Sequence, residues 1–159
     1  MIMVSTDGSC LRNPGGAIGW AWVNHAGPTG SGGAASGTNQ IAELRAVLEA
    51  VTAHPGAEEL VIQADSQYAI NCASVWPAGW RRKGWRTVSG SPVKNLALVQ
   101  AIDTAITARA GAVRFEWVRG HVGHQFNEAA DELAGAAAAA AVGTAEEDIV
   151  EPEENPALF

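Results

Sequence analysis

The order of its hydrophobic segments is the feature that most constrains how this chain folds. Short apolar segments typical of strands lie at residues 1–5 and 17–23, and a weaker, glycine-rich segment at residues 27–37 is a candidate third strand. A helical pattern over residues 39–53 and a buried strand pattern at residues 60–62 follow. Early strands joined by turns, then strands alternating with helices, predict an α/β fold with a mixed sheet and helices on both faces.

The second half of the chain continues this alternation and then changes character. Its patterns are helices at about residues 67–75, 92–110 and 127–142, and a strand at residues 113–118. From residue 143 onward the chain is acidic and contains two prolines. We therefore expect one folded domain over residues 1–142 and a flexible acidic tail over residues 143–159.

The distribution of charge is more informative than its total. The formal net charge is −7, but six acids lie in the last fourteen residues without a base, and residues 1–145 carry 11 acids and 10 bases. Half of the ten bases are clustered, at Arg81, Arg82, Lys83, Arg86 and Lys94. A nearly neutral domain with one strongly positive patch is compatible with a polyanionic partner.

Several classes of protein are disfavoured by simple counts. No apolar run reaches the roughly 18 residues of a membrane span, and the N-terminal residues lack the basic region of a signal peptide. Two cysteines, Cys10 and Cys72, do not make a disulfide framework. We expect a cytoplasmic, reduced protein that does not associate with membranes.

Four carboxylates are the candidates for chemistry because of where they fall on the predicted elements. Asp7 is expected to end the first strand, and Asp65 the strand that begins at Leu60. Glu43 borders the apolar face of the first long helix, and Asp131 lies in the first turns of the last helix. Sites in open α/β sheets form beyond the carboxyl ends of strands. Four clustered acids are tolerated chiefly when divalent cations neutralise them, and oxygen ligands favour magnesium or manganese over zinc.

Each of these carboxylates also has an interpretation that needs no metal. Asp7 is compatible with a simple turn before Gly8, Asp65 with a helix N-cap, and Glu43 with a partly exposed helix position. Asp131 is compatible with a favourable charge near a helix N-terminus. Spacing alone does not decide between a metal site and four structural acids.

Residues 76–86 combine bases with aromatic side chains. Four bases lie among Trp76, Trp80 and Trp85, a composition that suits phosphate binding and stacking on sugars or bases. The alternative is a solvated loop whose tryptophans fill the core.

A loop rich in glycine and histidine follows the last strand. His121 and His124 have a spacing compatible with metal ligation, but neither a cysteine nor a third histidine lies near them. A mobile histidine close to a metal cluster suits proton transfer or product release instead.

Short motifs along most of the chain occur in one characteristic order. They are Thr6-Asp7-Gly8-Ser9-Cys10, Asn13-Pro14-Gly15, Thr38-Asn39-Gln40, Ala42-Glu43-Leu44, Asp65-Ser66-Gln67-Tyr68, residues 80–86 with Pro92-Val93-Lys94-Asn95, Trp117-Val118-Arg119-Gly120-His121, Asn127-Glu128 and Ala130-Asp131-Glu132-Leu133-Ala134. In this order they resemble the bacterial branch of type 1 ribonuclease H. The resemblance covers about residues 2–140 and implies a ribonuclease H-like fold, with a five-stranded mixed sheet of order 3-2-1-4-5 flanked by helices. It also implies endonucleolytic hydrolysis of the RNA strand of RNA–DNA hybrids, with 5′-phosphate and 3′-hydroxyl products.

The resemblance implies catalytic roles for five residues. Asp7, Glu43, Asp65 and Asp131 correspond to the carboxylates that bind two Mg²⁺ ions, for which Mn²⁺ is a substitute. One ion is expected to activate the attacking water and the other to stabilise the leaving 3′-oxygen. His121 corresponds to the loop histidine that assists turnover.

The resemblance also implies which residues contact the hybrid. The residues expected to grip the DNA strand are Trp76, Trp80, Arg81, Arg82, Lys83, Trp85 and Arg86; those expected in the minor groove are Asn13, Asn39 and Gln40; those expected at a DNA phosphate are Thr38 and Asn95. The expected partner is an RNA–DNA hybrid, bound by a monomer without an obligate protein partner. Two other interpretations stay open, a hybrid-binding module without catalysis and a different nuclease or strand-transfer enzyme of the same fold.

Overall fold

The computed structural model describes residues 1–120, 123–142 and 144 of the 159 residues. Its elements are β1 (Ile2–Cys10), β2 (Ile18–Asn24), β3 (Thr29–Ala34), α1 (Asn39–Ala53), β4 (Leu60–Ala64), α2 (Gln67–Ser74), α3 (Pro77–Arg82), α4 (Leu96–Ala108), β5 (Val113–Trp117) and α5 (Gln125–Ala141). Of the tail predicted at residues 143–159, only Thr144 belongs to the described residues.

The five strands form one mixed sheet of order β3-β2-β1-β4-β5, which confirms the expected order. β1, β2 and β3 pair antiparallel, whereas β4 lies parallel to both β1 and β5. In the β1–β4 pair, Thr6 lies opposite Ala64. Asp7 and Asp65 are the residues that follow this pair, so the register places the two acids side by side at the carboxyl end of β4.

The first strand is longer than predicted. Asp7 and Gly8 lie inside β1 and not at its end, because β1 pairs with β2 as far as Cys10. Its pairing with β4 ends earlier, at Thr6. Asp7 therefore marks the end of the parallel pairing, while the antiparallel pairing continues past it.

The fourth helix begins later than predicted. Pro92 forms a bridge with Arg86, and Asn95 has a left-handed conformation, with φ of 57°. These residues form a turn that precedes α4, which begins at Leu96.

Helices cover both faces of the sheet. On one face α1, α2 and α4 enclose a buried cluster that includes Val4, Leu44, Leu60 and Ile102. On the other face α5 packs over β1, β2 and β3 through a stripe of small buried residues, Ala130, Ala134, Ala138 and Ala141. Although α5 is rich in alanine, neither it nor another helix of the described ranges has the length and apolarity to span a membrane.

Candidate active site

Three carboxylates converge at the carboxyl end of β4. Asp7, Glu43 and Asp65 each offer an oxygen atom, and these atoms lie within 4.8 Å of one another. Asp7 comes from the central strand β1 and is 4% exposed, whereas Glu43 and Asp65 are partly exposed. The three acids reach one point from β1, α1 and the residue after β4, so the fold holds them together despite their wide separation in sequence.

Glycine at position 8 allows Glu43 to reach this point. A Cβ atom on Gly8 would lie 2.5 Å from the main-chain atoms Ala42 C and Glu43 N. The Gly8 N–H also donates a hydrogen bond of 2.9 Å to Asp7 Oδ1. The sequence indicated the acids but not this neighbour, whose role depends on the approach of β1 to α1.

Asp131 reaches the cluster from the opposite face of the sheet. It lies on α5 and hydrogen-bonds to the side chain of Asp7. The structure therefore brings Asp7, Glu43 and Asp65 to one place, and Asp131 joins them through its contact with Asp7.

Burial and mutual repulsion make the cluster electrostatically unfavourable when it is fully ionised. Burial, together with the charge of Asp65 and the contact with Asp131, raises the pKa of Asp7 to about 8. Burial also raises the pKa of Glu43 well above its usual range, and the charges of Asp7 and Asp65 add to this effect. A divalent cation would relieve both effects, and a donor set made only of carboxylate oxygens fits Mg²⁺ or Mn²⁺.

Two of the interpretations that need no metal are wrong. Asp7 lies in a strand and not in a turn. The N-cap of α2 is Ser66, whose Oγ accepts a hydrogen bond of 3.1 Å from the Ala69 N–H, and not Asp65.

We expect the metal-free protein to lose stability as the pH rises from about 4 to about 8. Folding raises the pKa of Asp7 from 3.8 to about 8, so between these values the folded state keeps a proton that the unfolded chain releases. This contribution to the free energy of unfolding is complete below pH 3.8 and is lost as the pH rises to about 8. Denaturant unfolding in chelator, measured across this range, tests the expectation, and the Asp7→Asn variant is the control that lacks this contribution.

Magnesium should reduce this pH dependence and raise the melting temperature of the protein near pH 8, because an ion held by the clustered carboxylates would stabilise the folded state. A melting temperature that does not change in millimolar Mg²⁺ would contradict the account of repulsion in the cluster.

The basic-aromatic stretch forms α3 and the turn that follows it. The rings of Trp76, Trp80 and Trp85 contact one another in series, with centroid separations of 5.7 and 6.1 Å. Trp80 and Trp85 pack partly against the core, while Trp76 is 39% exposed. The core-filling interpretation thus applies to two of the three rings, and Trp76 presents an open aromatic face.

Most of the bases of this stretch point to solvent without a carboxylate partner. Arg82, Lys83 and Arg86 line a cleft of about 470 Å³ beside Trp76, and no acid of the described ranges forms an ion pair with them. Arg81 differs, since its Nη1 lies 3.6 Å from Asp103 Oδ1. The cleft therefore combines three available cations with an exposed indole.

Four of the predicted contact residues meet at the beginning of α1. Asn13 Oδ1 accepts a hydrogen bond of 3.1 Å from the Asn39 N–H, and Thr38 Oγ1 caps the helix by accepting from the Ile41 N–H. Gln40 Oε1 is buried and has no hydrogen-bond partner among the described residues. Asn39 and Gln40 thus lie in the first turn of the helix that carries Glu43, with Thr38 at its N-cap and Asn13 beside it.

The remaining predicted residues lie elsewhere. Asn95 Nδ2 donates a hydrogen bond of 3.0 Å to the Tyr68 hydroxyl, and the Tyr68 ring contacts Trp76, so Asn95 adjoins the basic-aromatic surface. His121 lies outside the described residues. His124 occupies the N-cap position of α5.

Comparisons of sequence place the chain among known nucleases. The RNase H family profile matches residues 1–139. The Ribonuclease H of Anaeromyxobacter sp. (strain K) is 44% identical over 155 residues, which cover 91% of this chain and 84% of that protein. The Ribonuclease H of Tropheryma whipplei (strain Twist) is 43% identical over 138 residues, covering 86% of this chain and 84% of that protein.

Comparisons of structure agree with the sequence. The crystal structure of a type 1 RNase H with the type 2 active-site motif superposes with a TM-score of 0.70 at 32% identity, covering 87% of this chain and 72% of that one. A foamy viral protease-reverse transcriptase in complex with dsDNA shares the fold, with a TM-score of 0.73 at 22% identity over 86% of this chain and 93% of that one. With a family match over most of its length, and with the strand order and clustered acids described above, this chain belongs to the ribonuclease H family of nucleases.

Proposed function

We propose that this chain hydrolyses the RNA strand of RNA–DNA hybrids endonucleolytically by a two-metal mechanism, leaving 5′-phosphate and 3′-hydroxyl ends. The convergence of Asp7, Glu43 and Asp65 within 4.8 Å is the observation that carries the proposal. The match to the RNase H family supports the choice of substrate. Residues 1–142 are the catalytic domain in this proposal, and the acidic tail at 143–159 lies outside it.

The carboxylates hold the metal ions in this proposal. Two Mg²⁺ ions bound by Asp7, Glu43, Asp65 and Asp131 would lower the pKa of the attacking water and stabilise the charge of the leaving 3′-oxygen. Asp7, which contacts Glu43 of α1 and Asp131 of α5, would contribute to holding both ions. Because burial raises the pKa of Asp7 to about 8, metal binding near neutral pH is coupled to proton release. His121, which follows β5 in the sequence, assists turnover.

Two groups of residues outside the carboxylate cluster bind the hybrid in this proposal. Arg81, Arg82, Lys83 and Arg86 bind phosphates of the DNA strand with the help of Trp76, Trp80 and Trp85, and Thr38 and Asn95 hold a further DNA phosphate. Asn13, Asn39 and Gln40 contact sugars and bases in the minor groove, where the 2′-hydroxyl distinguishes RNA from DNA. The enzyme acts as a monomer in the cytoplasm.

A gel assay with end-labelled RNA in an RNA–DNA hybrid tests the proposal. We expect cleavage in Mg²⁺ or Mn²⁺ and none in chelator, with duplex DNA and duplex RNA left intact. The products should be extended at the 3′-end by a poly(A) polymerase and joined at the 5′-end by an RNA ligase. Binding without cleavage in either metal would support a hybrid-binding module instead, and cleavage of duplex DNA would indicate another nuclease activity of this fold.

A further inference from the structure

The last residue of β5 and the residues that follow it lie against Asp65, at both its main chain and its carboxylate. Trp117 Nε1–H donates a hydrogen bond of 3.1 Å to the Asp65 carbonyl oxygen, and the Val118 N–H donates one of 3.0 Å to the Ala64 carbonyl oxygen. A Cβ atom on Gly120 would lie 2.6 Å from Asp65 Oδ2. This segment thus fixes the end of β4 and also borders the space that the Asp65 carboxylate occupies.

The environment of Trp117 indicates that its hydrogen bond matters more than its packing. The side chain is 45% exposed, and it is absent from the buried clusters and from the residues packed against them. One face of the ring carries the Arg119 guanidinium, 5.6 Å from the ring centroid. A tryptophan this exposed contributes little to the core, so its main structural effect is to anchor the Asp65 peptide group.

The space around Gly120 is limited by a side chain, whereas the space around Gly8 is limited by main-chain atoms. A Cβ atom on Gly8 would meet main-chain atoms of Ala42 and Glu43, whereas a Cβ atom on Gly120 would meet the end of a side chain. The φ angle of Gly120 lies outside the left-handed region, so alanine there is compatible with the backbone. Substitution of Gly120 should therefore rotate the Asp65 carboxylate and leave the fold intact.

We propose that Trp117 and Gly120 are positioning residues that set the direction of the Asp65 carboxylate for metal binding. Trp117 fixes the main chain of Asp65, and Gly120 leaves room for Oδ2. This inference rests on the proposed function, in which Asp65 is a metal ligand. Groups that orient a ligand in this way typically change metal affinity 10- to 100-fold when they are altered.

Calorimetric titration of Mn²⁺ into the nucleic-acid-free protein tests the proposal in Gly120→Ala and Trp117→Phe. We expect the dissociation constant for Mn²⁺ to rise about tenfold or more in each variant, with melting temperatures in chelator close to that of the parent protein. The matched control is Arg119→Lys, which keeps the positive charge and both Asp65 contacts and should bind Mn²⁺ like the parent.

Asp65→Ala is the reference variant that distinguishes a failure of the positioning role from a failure of the proposed metal site. If Gly120 acts through Asp65, then Gly120→Ala should weaken Mn²⁺ binding no further when Asp65→Ala is already present. Parent-like Mn²⁺ binding in Gly120→Ala and Trp117→Phe, alongside weakened binding in Asp65→Ala, would overturn the positioning role and leave the proposed function standing. A large fall in the melting temperature of Gly120→Ala in chelator would overturn it as well, by showing a structural role. Unchanged binding in Asp65→Ala itself would overturn the metal site and this inference with it.

Discussion

Asp7→Asn should abolish cleavage of the RNA strand and, at the same time, raise the melting temperature of the metal-free protein. Asp7 is 4% exposed and contacts groups from both sides of the sheet, so its loss disturbs the whole proposed ligand set. Metal ions supply several kcal/mol of transition-state stabilisation, which corresponds to a loss of activity of about 1,000-fold or more. In chelator near pH 7, folding of the parent protein requires Asp7 to keep a proton that the unfolded chain releases. An amide has no such cost, and we expect melting about 5 °C higher than for the parent protein.

The hybrid-cleavage assay and a thermal melt of the same preparation measure both effects. The control is Glu132→Gln, which also neutralises an acid but on the exposed side of α5 beside Asp131; it should cleave like the parent protein. Retained cleavage in Asp7→Asn would contradict the assignment of the metal site. Lost cleavage together with a lower melting temperature in chelator would contradict the account of repulsion in the cluster.

The fold was predictable in outline from segment patterns, and in detail only through the family resemblance. Hydrophobic periodicity predicts a mixed α/β sheet, but the strand order 3-2-1-4-5 came from the resemblance. Asp7-Gly8 is a typical turn dipeptide, and for that reason the sequence predicted that β1 ends there. The prediction was wrong. Pairing with β2, which extends to Cys10, overrides this local preference.

Acids near strand ends and early helix turns were candidates for a cluster because such positions meet where parallel strands stop, but spacing alone did not distinguish a metal site from structural acids. Gly8, Trp117 and Gly120 were not assigned a role, since their contacts join segments that are distant in sequence. Gly8 is the neighbour of Asp7, and a Cβ atom there would lie 2.5 Å from Glu43 N. The sequence did offer one signal for Gly8, namely a glycine next to a candidate metal ligand. Glycine has no side chain and therefore permits another main chain to approach closely.

Gly19→Ala should destabilise the fold strongly through the face of the sheet that α5 covers. A Cβ atom on Gly19 would overlap the carbonyl oxygen of Ala134 and the main-chain nitrogen of Ala138. Main-chain atoms of a helix cannot rotate away as a side chain can, so α5 must move off the sheet. Overpacking of this kind is expected to reduce the free energy of unfolding by about 3 kcal/mol, and the displacement of Asp131 on the same helix should also lower activity.

Gly135→Ala is the matched control for this prediction, because it adds the same methyl group within α5 where no atom lies within 4 Å. Replacing a helix-interior glycine by alanine should raise the free energy of unfolding by about 0.5–1 kcal/mol. Urea unfolding of the two variants and the parent protein gives the comparison, with Gly19→Ala well below the parent and Gly135→Ala slightly above it. The same urea midpoint for Gly19→Ala and the parent would show that α5 is not held at the sheet by this close main-chain contact, and the position of Asp131 would then need another cause.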